Sequence, residues 1–232
     1  MGSRTWRRVL IAVGATAMVS GALHYDAVAA VPSDATEDAI VQAGLFTASD
    51  FPAGWTEDPP ASGSLAPGAV AGSASSKCAA LAEKSPQPDV RESSARFSNG
   101  TVIEVSDIVG VFSNDTAVTT AFKLSSSRAL LSCYRAGLRK TVRQQPTSGL
   151  QRVLSVEKVA SPVSERSVAY EAKFRFVKSG ASGAIFAVYV LVPVGRTGIT
   201  FEFTSIGTPV SSARQRSLIA PVIQRVDEAQ RP

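Results

Sequence analysis

Apolar and polar positions alternate most regularly in the second half of the chain. Val168, Tyr170, Ala172, Phe174 and Phe176 interleave with Ala169, Glu171, Lys173 and Arg175, the two-residue period of a half-buried antiparallel strand. Ile199, Phe201 and Phe203 repeat the pattern, with Thr200, Glu202 and Thr204 expected to face water. Ala184 to Val192 is apolar on both faces, which predicts a central strand, and Val153 to Val159 predicts another. Lys178 to Gly183 and Gly195 to Gly198 carry the turn residues between them. Upstream, Ala95 to Ser98 and Thr101 to Phe112 flank Asn99-Gly100, a hairpin signal because both residues tolerate positive φ. The apolar set of the second strand passes from Ile103 and Val105 to Val109 and Val111 with Asp107 between, so a bulge or bend is expected near Asp107.

Other segments follow the helical period. Leu130, Leu131, Cys133, Tyr134 and Leu138 form a core-facing stripe that Pro146 to Gly149 ends. Asp115 or Thr116 can cap a helix carrying Ala117, Val118, Ala121, Phe122 and Leu124. Thr36 can cap one from Glu37 to Ala43, stopped by Gly44. Pro209 opens a last helix using Leu218, Ile219, Val222, Ile223 and Val226, with a kink expected at Pro221. Leu45 to Trp55 is an apolar segment broken by turn residues, where Trp55 can plug the core. Residues 57–76 are rich in Pro, Gly, Ala and Ser and read as a flexible surface loop. Strands joined by short turns, with helices before, between and after them, predict an α+β domain: an antiparallel β-sheet with helices packed against it.

The first thirty residues have a different design. Arg4, Arg7 and Arg8 precede an apolar stretch from Val9 to Leu23, followed by Ala27-Val-Ala-Ala30. This is the three-part pattern of a secretory signal, and its apolar run is shorter than the roughly 20 residues of a membrane span. Residues 1–30 are therefore expected to be cleaved, leaving residues 31–232 as a single soluble, extracytoplasmic domain of the cell envelope. Arg7-Arg8 leaves both the general and the twin-arginine export routes open. Cleavage removes 3 of the 24 basic and 1 of the 19 acidic residues, for a net charge near +3, and it removes His24, the only histidine. Without imidazole, Ser-His-Asp and Cys-His catalysis and histidine-ligated metals are excluded from the exported portion. No metal and no cofactor is expected. Cys78 and Cys133 are the only cysteines, and an isolated pair in an exported chain is expected to form a disulfide.

Few residues offer chemistry beyond this. Ser155-Val-Glu-Lys158 matches the S-x-x-K spacing of Ser–Lys hydrolases, and Lys178-Ser-Gly180 loosely matches their K-T-G element. Ser155 lies in β-like sequence rather than at the start of a helix, which counts against that reading. Glu171 and Glu202 could face one side of a sheet as a carboxylate pair, although alternating charges on a wet strand face are ordinary. Residues 128–143 contain Arg128, Arg135, Arg139, Lys140 and Arg143 and no acid. Arg128, Arg135, Arg139 and Arg143 form a candidate basic patch for anionic envelope polymers or lipid head groups. The plainer alternative is a solvated helix face. Nucleic acid is not expected as a partner of an exported domain with so small a net charge.

Several placed features resemble the PknH-like group, the extracellular sensor domains of actinobacterial serine/threonine kinases and related exported proteins. They are Asp50-Phe-Pro-Ala-Gly54-Trp55, a cysteine ahead of the first hairpin, Ala95-Arg96-Phe97 leading into strands, a helix bearing the second cysteine, and closing strands with a last helix. The resemblance implies an α+β sensor or ligand-binding module with a cleft and no catalytic residues. Independently of it, the partner expected for an exported envelope domain is an envelope lipid, a small molecule or an anionic polymer. The chain departs from that group in having one cysteine pair and no kinase, so no ligand-site residues carry over. The expectation is a secreted, non-catalytic binding domain. A small Ser–Lys-type hydrolase and a structural polymer-binding protein are the alternatives.

Overall fold

A computed structural model describes residues 35–60, 67, 71–72, 74–100, 102–144, 149–178 and 181–231. The expected signal peptide lies outside these residues, as do the 145–148 connection and Ser179-Gly180. The described chain forms the α+β architecture expected from the pattern. Helices α1 (Ala35–Gly44), α2 (Ser76–Ala82), α3 (Asp115–Ser125), α4 (Arg128–Gln144) and α5 (Ser212–Ala229) pack on one antiparallel sheet. Its strands are β1 (Thr56–Asp58), β2 (Val90–Ser93), β3 (Arg96–Ser98), β4 (Ile103–Val111), β5 (Leu150–Val159), β6 (Val168–Lys178), β7 (Ala181–Val194) and β8 (Thr197–Ile206). They are ordered β1-β3-β4-β8-β7-β6-β5, with β2 also pairing to β4.

As its pattern demands, β7 lies between β6 and β8 and feeds two cores. Val188, Val190 and Val192 join Val105, Val109, Phe201 and Phe203 beneath α1 and α5. Ile185, Ala187 and Tyr189 point the other way and join Tyr170, Phe174, Phe176, Tyr134 and Leu138 beneath α4. The segment after α1 closes the first core with aromatic rings. Phe51 stacks on Phe97 at 4.4 Å and touches Trp55 at 4.7 Å, and Phe46 meets Phe201 at 5.4 Å. The Arg214 guanidinium covers the Trp55 ring at 5.3 Å. Gly44 permits this closure, since a Cβ there would come within 2.9 Å of the Val109 methyls.

Several local expectations change. Thr36 lies inside α1 rather than capping it. Asn114 is the cap of α3, its side chain accepting from Ala117 N at 2.9 Å. The last helix starts after Ser211, whose hydroxyl accepts from Arg214 N, and it continues through the exposed Pro221. Glu57 and Asp58 belong to edge strand β1, so the Pro/Gly-rich connection to α2 begins at Pro59. The bulge expected near Asp107 belongs to the opposite strand. β4 keeps one register with β8 throughout, and the extra residue sits at Ser94-Ala95, between β2 and β3. Asp107 therefore stays in phase with Val105 and Val109 and points into the α1/α5 core, 1% exposed.

Candidate functional site

The two cysteines form the expected disulfide, with Cα atoms 5.6 Å apart, joining α2 to α4. No metal-ligand cluster of three or more His, Cys, Asp or Glu occurs among the described residues. No described helix is long and apolar enough to cross a membrane.

The pairs considered for catalysis are separated by the strand geometry. Ser155 pairs with Lys173 and Lys158 with Tyr170, so their side chains leave β5 on opposite faces and the S-x-x-K spacing does not bring them together. Glu171 lies opposite Val188 and Glu202 opposite Tyr189. These two carboxylates also take opposite faces and do not form a pair. Glu171 instead faces Glu157 across the β5–β6 ladder. Burial pushes its carboxyl above the ordinary value, Glu157 adds to the shift and Lys173 opposes it.

The basic helix is placed as its periodicity requires. Leu130, Cys133, Tyr134, Gly137, Leu138 and Val142 are buried, while Arg128, Arg135, Arg139, Lys140 and Arg143 face outward. The stripe is long, however: Arg128 and Arg143 are fifteen residues apart, about 22 Å along the axis. Its arginines do not converge on one another. Arg135 Nε donates to Val156 O at 2.7 Å, tying the helix to edge strand β5. Arg143 Nε donates to Arg139 O at 3.1 Å, near the negative end of the helix.

A cluster forms at the C-terminal end of α4, where Arg143 is joined by residues that the helix pattern does not contain. A depression of about 590 Å³ is lined by Val142 and Arg143 of α4, Leu150, Gln151 and Arg152 of β5, and Arg175 of β6. Val142 and Leu150 belong to the buried core beneath α4, so the lining joins two buried apolar residues to three arginines. No ion pair among the described residues includes Arg143, Arg152 or Arg175. Arg152 and Arg175 are directly opposed in the β5–β6 ladder, a like-charge arrangement that destabilises a sheet.

Register explains the pairing. β5 shifts by one residue between Leu150 and Arg152 and again between Val153 and Ser155. In the register that β5 keeps from Ser155 onward, Arg152 would oppose Phe176, whose side chain points beneath α4. The two bulges turn it onto Arg175. Arg175 was legible as a wet-face residue, but Arg152 was not, because bulges on an edge strand leave no compositional mark.

Comparison with known proteins adds no assignment. No protein-family model and no curated protein matches the chain. Among solved structures, the human StarD13 (DLC2) lipid transfer and protein localization domain is similar at 10% identity, covering 61% of this chain and 85% of that one, with a TM-score of 0.17. So low a superposition supports no argument about fold or ligand.

Proposed function

We propose that this chain is an exported, non-catalytic binding domain of the cell envelope that takes an anionic partner along the arginine-bearing edge formed by α4 and β5. The observation that carries this reading is the cluster of Arg143, Arg152 and Arg175 around one depression, with no acidic partner among the described residues. The outward stripe of Arg128, Arg135 and Arg139 extends the same positive surface. A solvated helix face, the plainer reading of α4 alone, does not account for arginines from two strands lining the same depression as its last turn.

The test uses dextran sulfate as a polymeric anion and neutral dextran as the control. The full exported domain is expected to bind only the sulfated polymer. Affinity should fall steeply as salt rises from about 0.05 M to about 0.5 M, since contacts between exposed charges are screened over that range. Arg135→Glu with Arg139→Glu should weaken polymer binding at low salt. Binding indifferent to both salt and charge reversal would overturn the reading.

A further inference from the structure

We infer that the depression between α4, β5 and β6 is a specific site for an organic phosphate, with Arg143, Arg152 and Arg175 holding the phosphoryl oxygens at the β5 edge, beside Val142 and Leu150. This rests on the anionic-ligand reading above and assigns it a chemistry. Three features of the site lead to it.

The first is charge. Three arginines from three elements line one depression, and no acidic residue is among its lining. A carboxylate offers two oxygens and one charge, enough for a single bidentate arginine. A phosphoryl group offers three peripheral oxygens and up to two charges, and arginine forks match it bidentately. The second is size. At about 590 Å³ the depression falls in the range of small-molecule sites and far exceeds an inorganic phosphate, which leaves room for the group the phosphate esterifies. The buried Val142 and Leu150 offer that group apolar contact. The third is the Arg152–Arg175 pair itself. Directly opposed like charges weaken the ladder unless an anion lies between them. A phosphoryl group seated there converts the repulsion into binding.

Phosphate esters could reach the site as soluble metabolites or as lipid head groups. Isothermal titration with glycerol 3-phosphate, glycerol and acetate, together with flotation on phosphatidic acid and phosphatidylcholine vesicles, tests the chemistry and separates the sources. Glycerol 3-phosphate is expected to bind, with glycerol and acetate at least about tenfold weaker, the step expected when charge-assisted bonds are lost. A lipid source adds flotation on phosphatidic acid but not phosphatidylcholine; a soluble source gives titration without flotation. Arg152→Gln and Arg175→Gln should each lower phosphate affinity about tenfold while leaving the Tm unchanged or raised, because each relieves the opposed pair. Arg175→Lys, which keeps the charge and loses the fork, should also weaken binding. Dextran sulfate binding through α4 should persist in these variants.

Absence of phosphate binding, equal affinity for acetate, or affinity unchanged in Arg152→Gln and Arg175→Gln would overturn the inference. If the sulfated polymer still binds in a manner sensitive to Arg135 and Arg139, the broader anionic reading survives that failure. If neither probe binds, both are wrong.

Discussion

Beneath α1 and α5 the sheet buries valines and phenylalanines around one carboxyl, Asp107. Beneath α4 it buries Tyr134, Tyr170 and Tyr189 beside a disulfide. β7 supplies both sides from alternate residues, so the difference lies in what the helices bring. α1 and α5 are 10 and 18 residues long and pack on each other as well as on the strands. Arg225 of α5 reinforces them: its guanidinium donates to both carboxylate oxygens of Asp50, at 2.6 and 3.0 Å, and to the Ala43 and Leu45 carbonyls that end α1. Burial would raise the Asp50 carboxyl, but hydrogen bonds from Arg225 and Thr47 outweigh it and hold the group below its ordinary value. On the other side α2 has only seven residues, with Cys78 its buried member. So short a helix cannot be held by propensity or by its own apolar face, and a covalent bond to α4 takes over. One face is secured by packing and ionic contacts, the other by a crosslink.

The largest expected effect breaks the crosslink. In the chain-entropy model, closing a loop of 55 residues constrains the unfolded chain by about 4 kcal/mol. Cys78→Ser with Cys133→Ser, or reduction, should therefore lower urea-derived stability by about that amount. Loss should start locally. Hydrogen exchange is expected to show amides 76–82 unprotected well before those of β7 and β8. Equal loss of protection in α1 and α5 would mean that the two faces are not secured independently.

A second prediction exploits the carboxyl on the other face. Asp107 Oδ1 accepts from Phe46 N at 3.1 Å, Ser94 Oγ lies at its backbone N–H at 3.0 Å, and Oδ2 has no hydrogen-bond partner among the described residues. Burial pushes its pKa from 3.8 to about 7; Asp50 adds to the shift, while Ser94, Phe46 and Arg225 oppose it. The folded state thus holds this proton more tightly than the unfolded chain does. Stability from this group rises as pH falls through 7 toward 4 and is absent above 7, the reverse of the usual carboxylate case. Between pH 8 and pH 5 the native chain should gain about 2 to 3 kcal/mol relative to Asp107→Asn, which keeps an acceptor for Phe46 N but cannot titrate. Urea denaturation of both chains at the two pH values measures it. Parallel pH profiles would show that Asp107 does not titrate in this range.

Asp107 also marks the limit of what the sequence conveys. Its strand, the neighbouring valines and the antiparallel architecture were legible, because a two-residue period survives wherever one face is buried. A charged residue within an apolar set signals a change of phase, since an unpaired buried carboxylate is disfavoured. In the fold it remains in phase, and the bulge is transferred to Ser94 on the opposite strand. Bulges also hid the arginine cluster. Arg128, Arg135, Arg139 and Arg143 were visible as a helical stripe, but Arg152 joins Arg143 and Arg175 only through two register shifts in β5. Periodicity reports which face a residue takes; it does not report which residues on other strands lie opposite.

The smallest effect sharpens the comparison from the α4 side, where the polar atoms are hydroxyls rather than a carboxyl. Tyr189 Oη donates to Glu202 Oε1 at 3.1 Å, and Tyr170 Oη donates to Ser125 O. Tyr134 Oη is buried and meets no hydrogen-bond geometry among the described residues, and its polar neighbour there is the Tyr189 hydroxyl, already committed to Glu202. The Tyr134 and Tyr189 rings meet edge-on at 6.0 Å, so removing either hydroxyl leaves the packing in place. Tyr189→Phe should cost about 1 kcal/mol, since it removes a charge-assisted bond, whereas Tyr134→Phe should be neutral or slightly stabilising because it relieves an unsatisfied buried hydroxyl. Thermal denaturation of the two variants beside the parent compares them directly. A loss in Tyr134→Phe as large as in Tyr189→Phe would show that the Tyr134 hydroxyl does have a partner in solution, and that the polar interior of the α4 face is as fully satisfied as the clamp around Arg225.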